Sequence, residues 1–269
     1  MHTMEEKLAA FERLLKIMEE LREKCPWDKK QTLKTLRHLT IEETYELSEA
    51  ILDNDIEEVQ KETGDLLLHM VFYAQIASET TADQGGWDIA DSLNGICDKL
   101  IDRHPHIYGD VEANDEETVK ANWEQLKLKE GKKSVLEGVP KGLPSLVKAY
   151  RMQDKVRGVG FDWDNEHQVW DKVEEELAEF KAELDIDLER ATDEFGDVLF
   201  ALVNFARFKD INPDEALERT NRRFRNRFQF MEIAINKEGG KTLAEMSLSE
   251  MDVYWNAAKK ALAQDESQA

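Results

Sequence analysis

The chain has 269 residues, 58 of them acidic and 36 basic, which gives a formal net charge of −22. This charge argues against a protein that wraps a nucleic-acid polymer, because the phosphate backbone would be repelled. Two cysteines make neither a disulfide framework nor a zinc ligand set, the amino terminus is charged, and the apolar stretches are too short to span a bilayer. We therefore expect a soluble, cytoplasmic protein that does not insert into a membrane.

Apolar residues at helical spacing predict a series of helices in the first half of the chain. A Cys-Pro-Trp-Asp break ends the first of them, and a proline stops the fourth at Pro105. The predicted helices cover residues 4–24, 36–53, 56–79, 88–103 and a segment around Trp123.

A segment rich in glycine and proline, residues 131–144, predicts a linker between two domains. The first domain is expected to cover residues 1–130 and the second residues 145–269. The second domain repeats the order of the first, with a short helix, a break at residues 158–164, a Glu-rich helix, an apolar helix, a long basic helix and a final helix. The sequence thus predicts an all-α fold of two tandem helical bundles.

A pair of acidic motifs occurs in each half of the chain. Glu-x-x-Glu on one predicted helix is followed by Glu-x-x-Asp on the next, with a glycine directly before the aspartate. Residues three apart lie on one face of a helix, and a helical hairpin would bring the two motifs together. The acidic residues are Glu43, Glu46, Glu62 and Asp65 in the first half, and Glu176, Glu179, Glu194 and Asp197 in the second.

Carboxylates that converge in one groove predict a cation site. A single Glu-x-x-Glu pair is more often a solvated acidic face, but the repeat of both motifs makes coincidence a poor explanation. Like charges repel and are costly to remove from water unless a cation joins them. Clustered carboxylate oxygens suit Mg²⁺, with Mn²⁺ as the alternative, and Mg²⁺ commonly binds substrate phosphates. The glycines before the aspartates, Gly64 and Gly196, indicate a packing or binding reason, because glycine weakens a helix.

Cationic and aromatic residues of the second half are candidates for the rest of such a site. Arg223 and Arg227 lie four residues apart on one face of the basic helix, and Lys172 lies one turn before the second Glu-Glu motif. The two arginines suit a solvated basic face equally well. Trp163 or Trp255 could stack on a nucleobase, although each is more often a core residue. The sequence contains no phosphate-binding glycine loop of the Walker or Rossmann type.

These motifs resemble the signature of the MazG family, whose members are all-α nucleoside triphosphate pyrophosphohydrolases. The resemblance covers nearly the whole chain, because the tandem acidic motifs are accompanied by Cys25-Pro26-Trp27-Asp28, Arg103-His104-Pro105-His106 and Gly160-Phe161-Asp162-Trp163. It implies hydrolysis of a nucleoside triphosphate to the monophosphate and pyrophosphate, dependence on Mg²⁺, and a homodimer.

The resemblance also implies roles for individual residues. A base must accept the proton of the attacking water, and Glu175 is a candidate, although the sequence does not decide which glutamate has this role. The implied catalytic residues are Lys172, Glu175 and Glu176. The implied metal ligands are Glu176, Glu179, Glu194 and Asp197, and the candidates for a second metal site in the first copy are Glu43, Glu46, Glu62 and Asp65. The implied substrate-binding residues are Lys172, Arg190, Asp193, Asp197, Asn204, Arg223, Arg227 and Trp255.

The two copies differ at two positions of this pattern. Where the second copy has Lys172, the first has Leu39, and where the second has Asn204, seven residues after Asp197, the first has Phe72. The first copy therefore keeps its acidic residues but lacks part of the phosphate-binding and polar shell. This difference predicts that the second domain is the main catalyst and that the first is weakly active, regulatory or dimer-forming.

Two other classes of protein are alternatives to this function. A di-iron carboxylate bundle would need Glu-x-x-His pairs on facing helices, and His69 has the wrong spacing. An acidic helical protein that binds metal or nucleotide in a regulatory role, without significant hydrolysis, is the alternative function. The segments Leu66–Ile76 and Val198–Phe208 are apolar on all sides, so we expect them to be buried, with a second subunit as part of their cover.

Overall fold

The computed structural model describes residues 1–109 and 134–263, and the regular structure within these ranges is entirely helical. The prediction of an all-α fold is therefore confirmed. The predicted helix around Trp123 and the start of the predicted linker, residues 131–133, lie outside the described residues.

The described helices are numbered here in chain order. In the first half they are α1 Met4–Lys24, α2 Leu33–Leu52, α3 Ile56–Ser78, α4 Ile89–Arg103 and the single turn α5 Pro105–Tyr108. In the second half they are α6 Ser145–Arg157, α7 Glu166–Glu183, α8 Leu188–Phe208, α9 Pro213–Glu238 and α10 Leu248–Leu262. Short 3-10 turns lie at Asp28–Lys30, Ala82–Gln84, Val135–Gly138 and Leu243–Glu245.

The chain divides into two compact units, Met1–Val111 and Glu112–Ala269. The described part of the predicted linker belongs to the second unit, where the turn at Val135–Gly138 packs against α6. The most extensive helix pairing in each unit is a hairpin, formed by α2 with α3 in the first unit and by α7 with α8 in the second. Each hairpin carries the two acidic motifs on its two helices.

Carboxylate side chains begin the second helix of both hairpins. Asp55 caps α3 by accepting a hydrogen bond from the backbone N–H of Glu58 at 3.1 Å. Asp187 caps α8 by accepting hydrogen bonds from the backbone N–H groups of Glu189 and Arg190 at 2.9 and 3.4 Å. A carboxylate at this position satisfies amides that the helix leaves unpaired and complements the helix dipole. These caps fix the start of the helix that presents Glu-x-x-Asp.

Buried apolar side chains support both hairpins. In the first unit, Met18 of α1 and Leu36 of α2 form a buried cluster with Val71 and Phe72 of α3. The buried apolar residues of the second hairpin are Val169 and Val173 on α7, and Ala191, Val198, Ala201 and Val203 on α8. Full burial of a valine or larger apolar side chain contributes roughly 1.5–3 kcal/mol. The acidic motifs therefore stand on a packed support.

The apolar helices α3 and α8 bury only part of their surface. On α8, Phe195, Leu199 and Leu202 are 48%, 46% and 41% exposed, and on α3, Leu67 and Met70 are 47% and 44% exposed. A single chain therefore does not cover these helices on every side, and the expectation that a second subunit completes their cover stays a prediction. The neighbouring described helices contact one side of each helix and leave these side chains in contact with solvent.

Gly64 and Gly196 lie inside α3 and α8, and a methyl group built on either would meet no described atom within 4 Å. Packing among the described residues therefore does not explain the glycine before each aspartate. We expect Gly196→Ala to raise the free energy of unfolding by about 0.5–1 kcal/mol, because alanine favours a helix interior. Urea denaturation measures the change, with Gly64→Ala as the matched variant in the other unit. Destabilisation by Gly196→Ala would contradict the open space found beside this glycine.

Candidate functional site

The hairpin of α7 and α8 brings three of the four predicted metal ligands together. Carboxylate oxygens of Glu176, Glu194 and Asp197 lie within 4.8 Å of one another. Glu176 is buried, Glu194 is half-buried and Asp197 is exposed. The fourth predicted ligand, Glu179, is exposed and lies outside this group. Glu179 nonetheless lies near enough to Glu194 to act on it electrostatically. Burial raises the pKa of Glu194 most, and the negative charge of Glu179 raises it further.

The hairpin of α2 and α3 forms the same kind of group in the first unit. Carboxylate oxygens of Glu43, Glu62 and Asp65 lie within 4.8 Å of one another. Burial, a hydrogen bond with Glu58 and the negative charge of Glu46 together raise the pKa of Glu62 to about 7. The Oε2 atom of Glu62 is buried and has no hydrogen-bond partner among the described residues. Each hairpin thus arranges the same three positions of its two motifs.

Both groups of carboxylates fit a divalent cation. Three carboxylates in so small a space repel one another, and a buried oxygen without a partner lowers stability. A hard cation would pair with these oxygens and remove the repulsion, since Mg²⁺ and similar ions are bound by carboxylate oxygens in proteins. The unpaired oxygen of Glu62 supports this fit in the first unit, and the raised pKa of Glu194 is consistent with it in the second.

A lysine adjoins the carboxylates of the second unit. The Lys172 Nζ atom lies 2.6 Å from Glu176 Oε1 and 2.8 Å from Glu175 Oε1. These contacts raise the pKa of Lys172, so its ammonium group stays charged at neutral pH. The first unit has Leu39 at the corresponding position. The two groups of carboxylates therefore differ in their local charge, as the sequence comparison of the two copies indicates.

A cavity of about 560 Å³ opens beside the carboxylates of the second unit. Lys172, Glu176 and Asp197 line it. The rest of the lining is largely apolar and aromatic, and includes Met152, Val156, Phe161, Trp163 and Phe200. Because Asp197, Phe200 and Asn204 follow one another at intervals of three and four residues, they lie along one face of α8. The cavity therefore joins a charged region to an aromatic one.

A buried arginine holds the aromatic wall in place. Arg207 is 3% exposed and donates hydrogen bonds to both carboxylate oxygens of Asp162, one of them at 3.0 Å. It also donates to Asn204 Oδ1 from two nitrogens, at 3.1 and 2.9 Å. Asp162 stands between Phe161 and Trp163, so this bidentate pair fixes the aromatic turn against α8. The Gly-Phe-Asp-Trp motif is thereby connected to the helix that carries Asp197.

Several predicted site residues do not line this cavity. Glu175 is exposed and pairs with Lys172, and Arg190 forms an ion pair of 3.4 Å with Glu183. The Trp255 ring packs on an aromatic ring of α9, with 5.3 Å between the ring centroids. The predicted catalytic and substrate-binding residues outside the lining are Glu175, Arg190, Asp193, Arg223, Arg227 and Trp255. Their roles stay predictions, whereas Lys172, Asp197 and Asn204 lie together in the cavity.

The sequence reasoning missed two buried polar residues of the cavity, Gln153 and Arg207, which are 5% and 3% exposed. The position of Gln153 depends on the packing of α6 against α8, which no local motif indicates. Arg207 could have been identified from the sequence, because an arginine near the end of an apolar helix needs an acidic partner if it is buried. Asp162 is that partner.

Comparison with known proteins agrees with these features. A model of the MazG nucleotide pyrophosphohydrolase domain matches residues 31–108. The Thermotoga maritima nucleoside triphosphate pyrophosphohydrolase/pyrophosphatase MazG is 42% identical over 261 residues, which are 95% of this chain and 98% of that protein. The Escherichia coli K12 nucleoside triphosphate pyrophosphohydrolase is 39% identical over 260 residues, 93% of this chain and 97% of that protein. The chain belongs to the MazG family.

Membership of the MazG family confirms the resemblance found in the motifs. The matched range 31–108 contains the whole α2–α3 hairpin with its group of carboxylates. The Bacillus subtilis protein YabN, which is described as uncharacterized, is 46% identical over 268 residues, which are 95% of this chain but 53% of YabN. Within the described ranges of this MazG chain, no helix is both long enough and apolar enough to cross a membrane.

The raised pKa of Glu62 predicts how pH affects stability and metal binding. A carboxyl whose pKa rises from 4.5 to about 7 on folding binds its proton more tightly in the folded state. Without metal, its contribution to stability is therefore full below about pH 4.5 and is lost as the pH rises through 7. Because a bound cation needs the ionised carboxylate, Mg²⁺ should raise the melting temperature more at pH 8 than at pH 6.

Thermal melting in EDTA and in Mg²⁺ at both pH values measures this effect. Glu62→Gln should reduce the pH dependence, whereas the matched control Glu57→Gln, at an exposed glutamate of the same helix, should keep it. An unchanged difference between pH 6 and pH 8 in Glu62→Gln would show that another group is responsible.

Proposed function

We propose that this chain is an Mg²⁺-dependent nucleoside triphosphate pyrophosphohydrolase that converts ribo- or deoxynucleoside triphosphates to the monophosphate and pyrophosphate. The observation that carries the proposal is one cavity that joins carboxylates and a lysine to aromatic walls. Carboxylates within 4.8 Å of one another suit a metal that also binds phosphates, and aromatic side chains suit a nucleobase. Relatives that cover 95% and 93% of the chain carry this activity in their names.

Glu176, Glu194 and Asp197 would hold the metal in the second unit, with Glu179 as a further ligand of the proposed set. When bound, Mg²⁺, or Mn²⁺ in its place, supplies positive charge to the triphosphate and polarises a water molecule. The protein contributes the position of the ligands. The two hairpin helices hold carboxylates from separate motifs within 4.8 Å, so little reorganisation is needed when substrate arrives.

Lys172 and Glu175 supply the other proposed roles. The Lys172 ammonium lies beside Glu176 and lines the cavity, where it can pair with a phosphate oxygen and stabilise charge that develops in the transition state. Glu175 lies at 2.8 Å from the same ammonium. Transfer of Lys172 from the carboxylates to phosphate would leave Glu175 free to accept the proton of the attacking water.

A regulatory protein that binds metal or nucleotide without significant hydrolysis is the second candidate function. The first unit favours it locally, because it keeps a group of three carboxylates beside Leu39 and Phe72 rather than a lysine and an asparagine. A rise in melting temperature with Mg²⁺ and nucleotide, without release of pyrophosphate, would support this candidate.

We expect pyrophosphate to be released from ATP in Mg²⁺ and not in EDTA, because the repelling carboxylates cannot bind a triphosphate without a cation. A coupled assay that detects pyrophosphate separately from orthophosphate measures the direct product. Equal rates in Mg²⁺ and EDTA, or orthophosphate as the first product, would contradict the proposed reaction.

The two units should differ in activity. Glu176→Ala removes a buried ligand from the group that has Lys172 beside it, and we expect a loss of kcat/KM of about 10²-fold or more. Glu43→Ala removes the matching residue of the first unit and should have a small effect. The two variants serve as controls for each other in steady-state assays, and the reverse ranking would place the main catalytic site in the first unit.

We also propose a homodimer and a cytoplasmic location. The exposed apolar side chains of α3 and α8 support the dimer, since contiguous apolar surface favours association. A second subunit would let Arg223, Arg227 and Trp255 reach a cavity that they do not line in their own chain. Sedimentation equilibrium at micromolar concentration should show twice the chain mass of 31.1 kDa, and full activity at the single-chain mass would contradict the dimer.

The cysteines support the proposed cytoplasmic location. Cys25 and Cys97 are free thiols, and a reducing compartment such as the cytoplasm keeps thiols free.

A further inference from the structure

A buried amide in the cavity of the second unit has one hydrogen-bonding group without a partner. Gln153 lies on α6 and is 5% exposed. Its Nε2 group donates to the backbone carbonyl of Phe200 at 2.8 Å, whereas Oε1 is buried and has no hydrogen-bond partner among the described residues. A carbonyl oxygen only accepts hydrogen bonds, so the nitrogen must face Phe200. The unpaired group is therefore an acceptor oxygen.

The position of this oxygen points to a ligand. Buried acceptors without partners are rare in folded proteins because they lower stability. Gln153 lines the same cavity as Lys172 and Asp197. Phe200, whose backbone carbonyl accepts the hydrogen bond from Gln153, lies three residues beyond Asp197 on α8, or about 4.5 Å along the helix axis. Gln153 thus lies beyond the carboxylates and within the aromatic region of the cavity.

A second amide side chain lines the cavity and offers a hydrogen-bond donor where Gln153 offers an acceptor. Asn204 Oδ1 accepts hydrogen bonds from Arg207 at 3.1 and 2.9 Å. Because a guanidinium only donates, the asparagine oxygen must face Arg207, and the NH₂ group remains for another partner. The aromatic region therefore offers an acceptor from Gln153 and a donor from Asn204, with Phe161 and Trp163 in the same lining.

We infer that Gln153 binds the polar edge of the substrate's nucleobase and so selects bases with an N–H donor, an inference that rests on the proposed function. Its Oε1 atom accepts a hydrogen bond from an amino or ring N–H group on the edge of the base. The NH₂ group of Asn204 donates to an adjacent ring nitrogen or carbonyl oxygen of the same base. The class of ligand is thus a triphosphate whose base presents an N–H donor beside an acceptor. A base that has only acceptors leaves Gln153 unpaired.

Kinetics of pyrophosphate release test this inference with two kinds of substrate. The first is the panel ATP, GTP, CTP and UTP, and the second is the triphosphate of unsubstituted purine riboside, whose base has no N–H group. The wild type should favour its best natural substrate over the purine analogue by at least about tenfold in kcat/KM. Gln153→Met, which keeps the side-chain length, should lower kcat/KM for that substrate by about tenfold, mainly through KM, and should change the analogue less than about twofold.

The controls separate a role in base selection from a structural role. Gln84→Met makes the same chemical change at an exposed glutamine of the first unit and should leave both substrates unaffected. Equal losses for the natural substrate and the analogue in Gln153→Met, or no loss for either, would overturn the inference. If that variant does not fold, equal kcat/KM of the wild type for both substrates would overturn it instead.

Failure of the proposed function has a different signature. If the wild type releases no pyrophosphate from any triphosphate, the proposed reaction is wrong. The role of Gln153 in base selection is then tested by measuring nucleotide binding. The rise in melting temperature with Mg²⁺ and each triphosphate is then compared between the wild type and Gln153→Met. A selective loss of the rise for bases with an N–H donor would support the inference, and a uniform response would overturn it.

Discussion

Repulsion between carboxylates in the groove of a helical hairpin is the constraint on which the rest of this structure depends. Each unit places three carboxylates within 4.8 Å, one from the first helix of its hairpin and two from the second. Charges so close oppose the folding of the hairpin that holds them. Two features stabilise the hairpins against this repulsion, namely the helix caps at Asp55 and Asp187 and the buried apolar residues behind the motifs. Stability of the scaffold and affinity for a cation are therefore linked, because a bound cation removes the repulsion that the scaffold otherwise resists.

The two units respond to this repulsion in different ways. In the second, Lys172 pairs with Glu176 and supplies a positive charge from within the chain. In the first, Leu39 supplies none, and burial with neighbouring negative charge raises the pKa of Glu62 to about 7. Near neutral pH, a cation bound in the first unit would compete with the proton of Glu62, whereas one bound in the second would compete with the ammonium group of Lys172. This difference supports separate roles for the two units.

The sequence predicted the groups of carboxylates because their geometry is local. A spacing of three residues fixes two side chains on one helix face, and a short connection between helices makes a hairpin. Gly64 and Gly196 show where such reasoning was weaker, since no described atom packs against either. Gln153 and Arg207 could not be placed in the cavity from the sequence, because their positions depend on how α6 and the Gly-Phe-Asp-Trp turn pack on α8. Patterns along the chain reveal residues that share a helix face, and not residues that meet across a cavity.

One face of α8 explains why the second unit has this cavity. Asp197, Phe200, Asn204 and Arg207 follow one another along it, so the helix presents a proposed metal ligand, an aromatic wall, an amide and an arginine in turn. On α3 the same intervals after Asp65 give Leu68, Phe72 and Gln75. Phe72 is 3% exposed and belongs to the same buried cluster as Met18. Met18 lies seven residues before Cys25, just as Gln153 lies seven residues before Gly160. Where the second unit has the amides Gln153 and Asn204 in its cavity wall, the first has two apolar side chains of its buried core. The first unit thus keeps the carboxylates and has core residues at two positions where the second unit has amides.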